Sequence, residues 1–106
     1  MVDRPGALVQ LDSKQVSLGK GKVVFSLAAL DCFTRKRVVA LATRLTSQQG
    51  VAFLRRVIGE FPFPVAAIQS DGGSEFLGDF GAAAKELKVL HYFKGKGIQE
   101  SKLDYV

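Results

Sequence analysis

Two aspartates occupy positions where an acid needs a reason. Asp12 is embedded in the run ALVQLDSKQVSL, and Asp71 follows the apolar run VAAIQS and precedes two glycines, in the stretch IQSDGGSEF. If these runs are neighbouring strands, the two carboxylates converge where one edge of the sheet opens. Like charges a few ångströms apart raise one pKa, and a divalent cation between them removes the conflict. Hard oxygen ligands suit Mg²⁺ or Mn²⁺. The glycines after Asp71 then form a tight turn that leaves room beside the metal for a phosphate. Plainer readings stand beside this one: Asp71 could cap a helix, and Asp12 could be exposed at a sheet edge. Glu75 is assigned to the helix start, where the dipole favours an acid. The one histidine, His91, is placed on a strand near the rim of the site, and the one cysteine, Cys32, in a buried or turn position with no base near in sequence. Together they exclude an internal disulfide and a His/Cys zinc cluster.

The elements that must position these side chains follow from patterning. ALVQLDSKQVSL reads as a first strand, GKGK as a hairpin turn, VVFSLAAL as a second strand, DCFTRK as a turn and RVVALATRL as a third strand. These make an antiparallel meander. Thr46 and Gln49 match a capping box, and Val51, Leu54 and Ile58 mark the buried face of a helix of about 12 residues. FPFP ends it. VAAIQS is a short strand of the kind covered on both faces. Phe76, Phe80, Ala84 and Leu87 recur at helical spacing and predict a second helix, which Gly78 and Gly81 weaken. VLHYFK is a fifth strand. The order β-β-β-α-β-α-β describes a mixed five-stranded sheet of the α/β class, in one domain spanning 1–106, with 94–106 a loop or tail.

Hydrophobic residues make up 47% of the 106 and charged residues 24%, so a core is expected and bulk disorder is not. No apolar run approaches the roughly 20 residues of a spanning helix, and the N-terminus lacks a signal-peptide layout, which predicts a soluble cytoplasmic protein with no membrane partner. A net charge of +5 favours a polyanionic partner.

RPGALVQLDSKQV, LAALDCFTRKRVVA and IQSDGGSEF, in this order and on these elements, resemble the catalytic core of the retroviral integrases and the DDE insertion-sequence transposases. The resemblance covers about residues 5 to 94. It implies a ribonuclease H-like three-layer fold and metal-dependent polynucleotidyl transfer on DNA. Asp12 and Asp71 match the first and second catalytic, metal-binding carboxylates, with 58 residues between them. Asp31 matches an aspartate at the second strand's hairpin and takes a turn role. Mg²⁺ or Mn²⁺ is the implied cofactor. DNA, held mainly through its phosphates, is the implied partner, and a homodimer is compatible with the pattern.

The pattern departs from the family at its end. The third carboxylate, a glutamate on a helix, normally follows the second aspartate by about 35 residues, which leads to position 107. Glu100 and Asp104 are the acids of the tail that could substitute. The domain is therefore expected to be truncated, its C-terminal helices missing, and to be inactive as the isolated chain. The alternative is a non-catalytic nucleic-acid-binding or dimerisation module that keeps the fold. A small-molecule-binding α/β domain ranks third, because no dinucleotide fingerprint follows the first strand.

Overall fold

The computed structural model describes residues 2–70 and 74–93. Strands β1 (Val9–Gly19), β2 (Lys22–Asp31) and β3 (Arg37–Ala42) precede helix α1 (Ser47–Glu60) and strand β4 (Ala67–Ser70). A 3₁₀ turn (Ser74–Phe76), helix α2 (Asp79–Glu86) and strand β5 (Leu90–Phe93) complete the described chain. One sheet runs β3-β2-β1-β4-β5. β1, β2 and β3 are antiparallel, and β4 and β5 add in parallel, as the element order implied. The hairpin between β1 and β2 turns on Gly19, Lys20 and Gly21, which all have positive φ (83°, 53° and 75°), a conformation glycine adopts without steric cost. β3 stops at Ala42, where its pairing with Phe25 ends, three residues short of the expected strand.

Side chains alternate across β1, so Val9 and Leu11 enter the core while Gln10, Asp12 and Lys14 take the opposite face. The core joins Val9, Leu11, Leu27, Ala29 and Ile68 of the sheet to Phe53, Leu54 and Val57 of α1 and to Phe76, Phe80 and Ala84. Both helices thus pack on one face of the sheet. Thr46 caps α1 by accepting a hydrogen bond from the Gln49 amide at 3.2 Å, as the capping pattern predicted. The face it buries is centred on Gly50, Phe53, Leu54 and Val57, whereas Val51 and Ile58 lie at its margin, a rotation of the expected stripe. Phe76, Phe80 and Ala84 are buried as their spacing required, yet they do not share one helix. Gly78, at φ 56°, breaks the segment into the 3₁₀ turn and α2.

The other face of the sheet is open among the described residues. Leu41 is 70% exposed there and Val39 46%. The described residues therefore form two layers, helices over sheet. In β4, expected to be covered on both faces, Ala67, Ile68 and Ser70 are buried and Gln69 is half-buried. The expected tail, 94–106, lies outside the described residues. No described helix is long and apolar enough to cross a membrane.

Candidate metal centre

Asp12 sits on the central strand, so an edge position does not explain its exposure; the open face does. Gln10 and Lys14 flank it along β1, and Ala28 faces it from β2. The Ser13 amide donates to Asp12 Oδ1 at 2.9 Å, which fixes the carboxylate against its own strand while leaving it accessible from solvent. On the β4 side, Gln10 pairs with Gln69, and Gln10 Nε2 donates to Gln69 Oε1 at 3.2 Å. Tyr92 of β5 follows in the same row. The result is one exposed hard-oxygen donor, bordered by neutral amides on the β4 side and by the Lys14 ammonium along β1; its donor type matches a hard divalent cation rather than a soft metal.

Asp71, Glu100 and Asp104 lie outside the described residues. β1 and β4 are nevertheless hydrogen-bonded parallel neighbours at Gln10 and Gln69, each two positions ahead of an aspartate in sequence. The pairing of the two strands is thus observed as far as Gln10 and Gln69. Among the described residues no three His, Cys, Asp or Glu side chains gather into a metal-holding group.

Glu75 belongs to the opposite face. It lies in the 3₁₀ turn, is buried, and its Oε2 accepts a hydrogen bond from Ser13 Oγ. Because Asp12 and Ser13 are consecutive on a strand, their side chains leave opposite sides of the sheet. Glu75 therefore ties the turn after β4 to the core side of β1 and is not a partner for Asp12. Gly50 of α1 makes this approach feasible: a Cβ there would lie 1.9 Å from the Glu75 carbonyl oxygen. Neither Ser13 nor Gly50 stood out in the sequence. The available signal was Ser13 itself, a polar residue in the register of Val9 and Leu11.

Asp31, fully buried at the end of β2, does serve the turn. Its Oδ1 accepts from the Gly6 amide at 2.9 Å, and Oδ2 accepts from the Thr34 amide at 2.8 Å and the Thr34 hydroxyl at 2.7 Å. Burial alone would raise this carboxyl, but the Thr34 and Gly6 hydrogen bonds outweigh it and hold the group below its usual range. Cys32 is half-buried, and burial together with the Asp31 charge pushes its thiol up, against a role as nucleophile. His91 is a strand residue, as expected, but buried rather than at a rim. Its Nε2 is 2.7 Å from Ser70 Oγ, and its ring packs edge-on against Phe80 at 5.1 Å. It thereby locks the end of β4 immediately before Asp71.

The family model for the integrase core domain matches residues 2–97. Among solved structures, the chain is similar to the simian T-cell lymphotropic virus intasome in complex with a PP2A regulatory subunit. That match has 20% identity and a TM-score of 0.78, over 94% of this chain and 36% of that one. It is also similar to the HTLV-2 integrase catalytic core domain in complex with magnesium. The dimeric form matches at 20% identity and TM-score 0.75, over 84% of this chain and 61% of that one, and the trimeric form at 21% and 0.77, over 86% and 61%. These likenesses show the fold, and the chain spans less than two thirds of each neighbour. No curated protein sequence matches it.

Proposed function

The chain belongs to the integrase core domain family, whose chemistry is DNA integration by polynucleotidyl transfer, and from that premise we propose that Asp12 and Asp71 are its first two metal-binding carboxylates. The observation that carries this reading is Asp12, an exposed acid on the central strand whose neighbour β4 leads directly to Asp71. Bound Mg²⁺ or Mn²⁺ supplies charge neutralisation and activation of an oxygen nucleophile for in-line displacement at phosphorus. The protein's own part is to hold two carboxylates on adjoining strands, with Ser13 fixing Asp12 and the Ser70–His91 hydrogen bond steadying the end of β4. DNA is bound through its phosphates, without base readout. The third carboxylate has no counterpart among the described residues, and the isolated chain is catalytically silent in this account.

The test is 3′-end nicking and strand transfer on a DNA duplex. It compares the chain, its Asp12→Asn and Asp71→Asn variants, and a version extended by a family-like helix that begins with glutamate at position 107. Background activity is expected from the first three and recovery from the last, lost again when either aspartate is changed. Manganese-dependent nicking by the unextended chain that vanishes in Asp71→Asn would point instead to Glu100 or Asp104 as the third acid. Activity indifferent to both aspartates would overturn the reading.

A further inference from the structure

The β1–β2 hairpin outruns the sheet. Among the described residues β4 pairs with β1 only at Val9 and Gln10, and β3 pairs with β2 only from Phe25 onward, so residues 16–24 form a two-stranded ribbon with no described strand on either side. From Ser13 to Leu30 the chain carries three lysines, Lys14, Lys20 and Lys22, and no acid. All three are exposed, and none has an ion-pair partner among the described residues. Register places two of them on one face. Asp12 pairs with Ala28 and Lys14 with Ser26, and Lys22 lies four residues along β2 from Ser26, on the same side by alternation. Lys20 occupies the tip. At about 3.4 Å per residue, the row from Asp12 through Lys14 to Lys22 is about 20 Å long, close to the rise of six base pairs.

We propose that this ribbon is a phosphate-tracking arm, whose lysines bind the backbone of the DNA duplex that is delivered to Asp12. The inference rests on the proposed function for the identity of the polyanion. Exposed lysines on a free ribbon are by themselves a solvated surface. Here they continue the open face that presents Asp12, and no acid lies among them to repel a phosphate chain. The contacts are ionic and independent of sequence, and they do not need the metal.

The experiment follows binding of a fluorescein-labelled 20-base-pair duplex to the full chain by anisotropy, in EDTA, at several NaCl concentrations. Three lost phosphate contacts should flatten the slope of log affinity against log salt by about 2 to 3 in the Lys14→Gln, Lys20→Gln, Lys22→Gln variant, and weaken binding at least about fivefold near 0.1 M salt. The corresponding triple Lys→Arg variant should bind like the original. A charge-matched control on the helical layer, Arg55→Gln, Arg56→Gln, Lys85→Gln, should keep the slope within about one unit. Equal losses in the two glutamine variants would reduce the effect to net charge and overturn the proposal, as would an unchanged slope in the ribbon variant or no DNA binding by the original chain. Mn²⁺ binding to Asp12→Asn is measured separately and reports on the metal assignment alone, so the arm and the metal site can fail independently.

Discussion

Replacing Gly50 by alanine should destabilise the fold, although glycine is a poor residue for a helix interior. Propensity alone favours the change by about 1 kcal/mol. Against this, the new Cβ would lie 1.9 Å from the Glu75 carbonyl oxygen, 3.0 Å from its carbonyl carbon and 3.2 Å from Phe80 Cδ2. Relief requires α1 and the 3₁₀ turn to separate by about 1 Å or more, because a backbone oxygen cannot swing aside as a flexible side chain can. Overpacking of this kind costs about 1 to 3 kcal/mol and sometimes more, and here it also pulls on the Ser13–Glu75 hydrogen bond. A 1.9 Å approach to a backbone oxygen belongs in the upper part of that range, about 2 to 3 kcal/mol, so Gly50→Ala should be about 1 to 2 kcal/mol less stable after the propensity gain. Gly59 is the internal control. It lies in the same helix with nothing within 4 Å of its virtual Cβ, so Gly59→Ala should stabilise by up to about 1 kcal/mol. Urea unfolding followed by far-UV circular dichroism reads both, with midpoints moving in opposite directions at constant m. If Gly50→Ala raises the midpoint as Gly59→Ala does, the close approach of α1 to the turn after β4 is wrong.

Ser13→Ala should cost about 1 to 3 kcal/mol, because it deprives the buried Glu75 carboxylate of its Ser13 donor; an unfolding midpoint unchanged from the original would refute the cross-sheet tie. Asp31→Asn should cost about 2 to 4 kcal/mol at neutral pH, since one acceptor oxygen cannot serve both the Gly6 and Thr34 amides. The pH dependence has a definite sign. With its folded pKa depressed, Asp31 contributes stability that is present above the unfolded carboxylate pKa of about 3.9 and is lost as pH falls through the lower folded value. The gap between the two proteins should therefore close on acidification, and a gap that is constant with pH would contradict the assignment. Cys32 should alkylate more slowly near neutral pH than an unhindered thiol, and a rate matching free cysteine would contradict its raised pKa.

The meander and the mixed five-stranded sheet were legible, because β-branched runs, glycine turns and a capping box act locally, whereas the central place of the Asp12 strand came only with the strand order. What escaped sequence reasoning depends on which elements touch. Gly50 has no hydrophobic signal, yet it occupies the middle of the buried face of α1, since only a residue without Cβ admits the Glu75 carbonyl. Phe76, Phe80 and Ala84 share a period and a core, but spacing could not reveal that Gly78 would take a positive φ and split the helix between them. Glu75 illustrates the same limit. An acid two residues after a glycine pair looks like a helix-start residue, and only the fold brings Ser13 across to it. The turn role of Asp31 was visible from its motif, whereas its three donors depend on bringing Gly6 beside Thr34. Of the two candidate metal carboxylates, Asp12 is found on the expected strand, and Asp71 lies outside the described residues.

Divalent-ion binding by this chain tests the central assignment most directly. Mn²⁺ is titrated into the protein, into Asp12→Asn and into Asp71→Asn, and the free aqueous ion is followed by its electron paramagnetic resonance signal. Two carboxylates that share an ion should each be needed, so binding should weaken about tenfold or more in either variant while the unfolding midpoints confirm that both remain folded. Mn²⁺ affinity that is unchanged in Asp12→Asn would contradict the assignment.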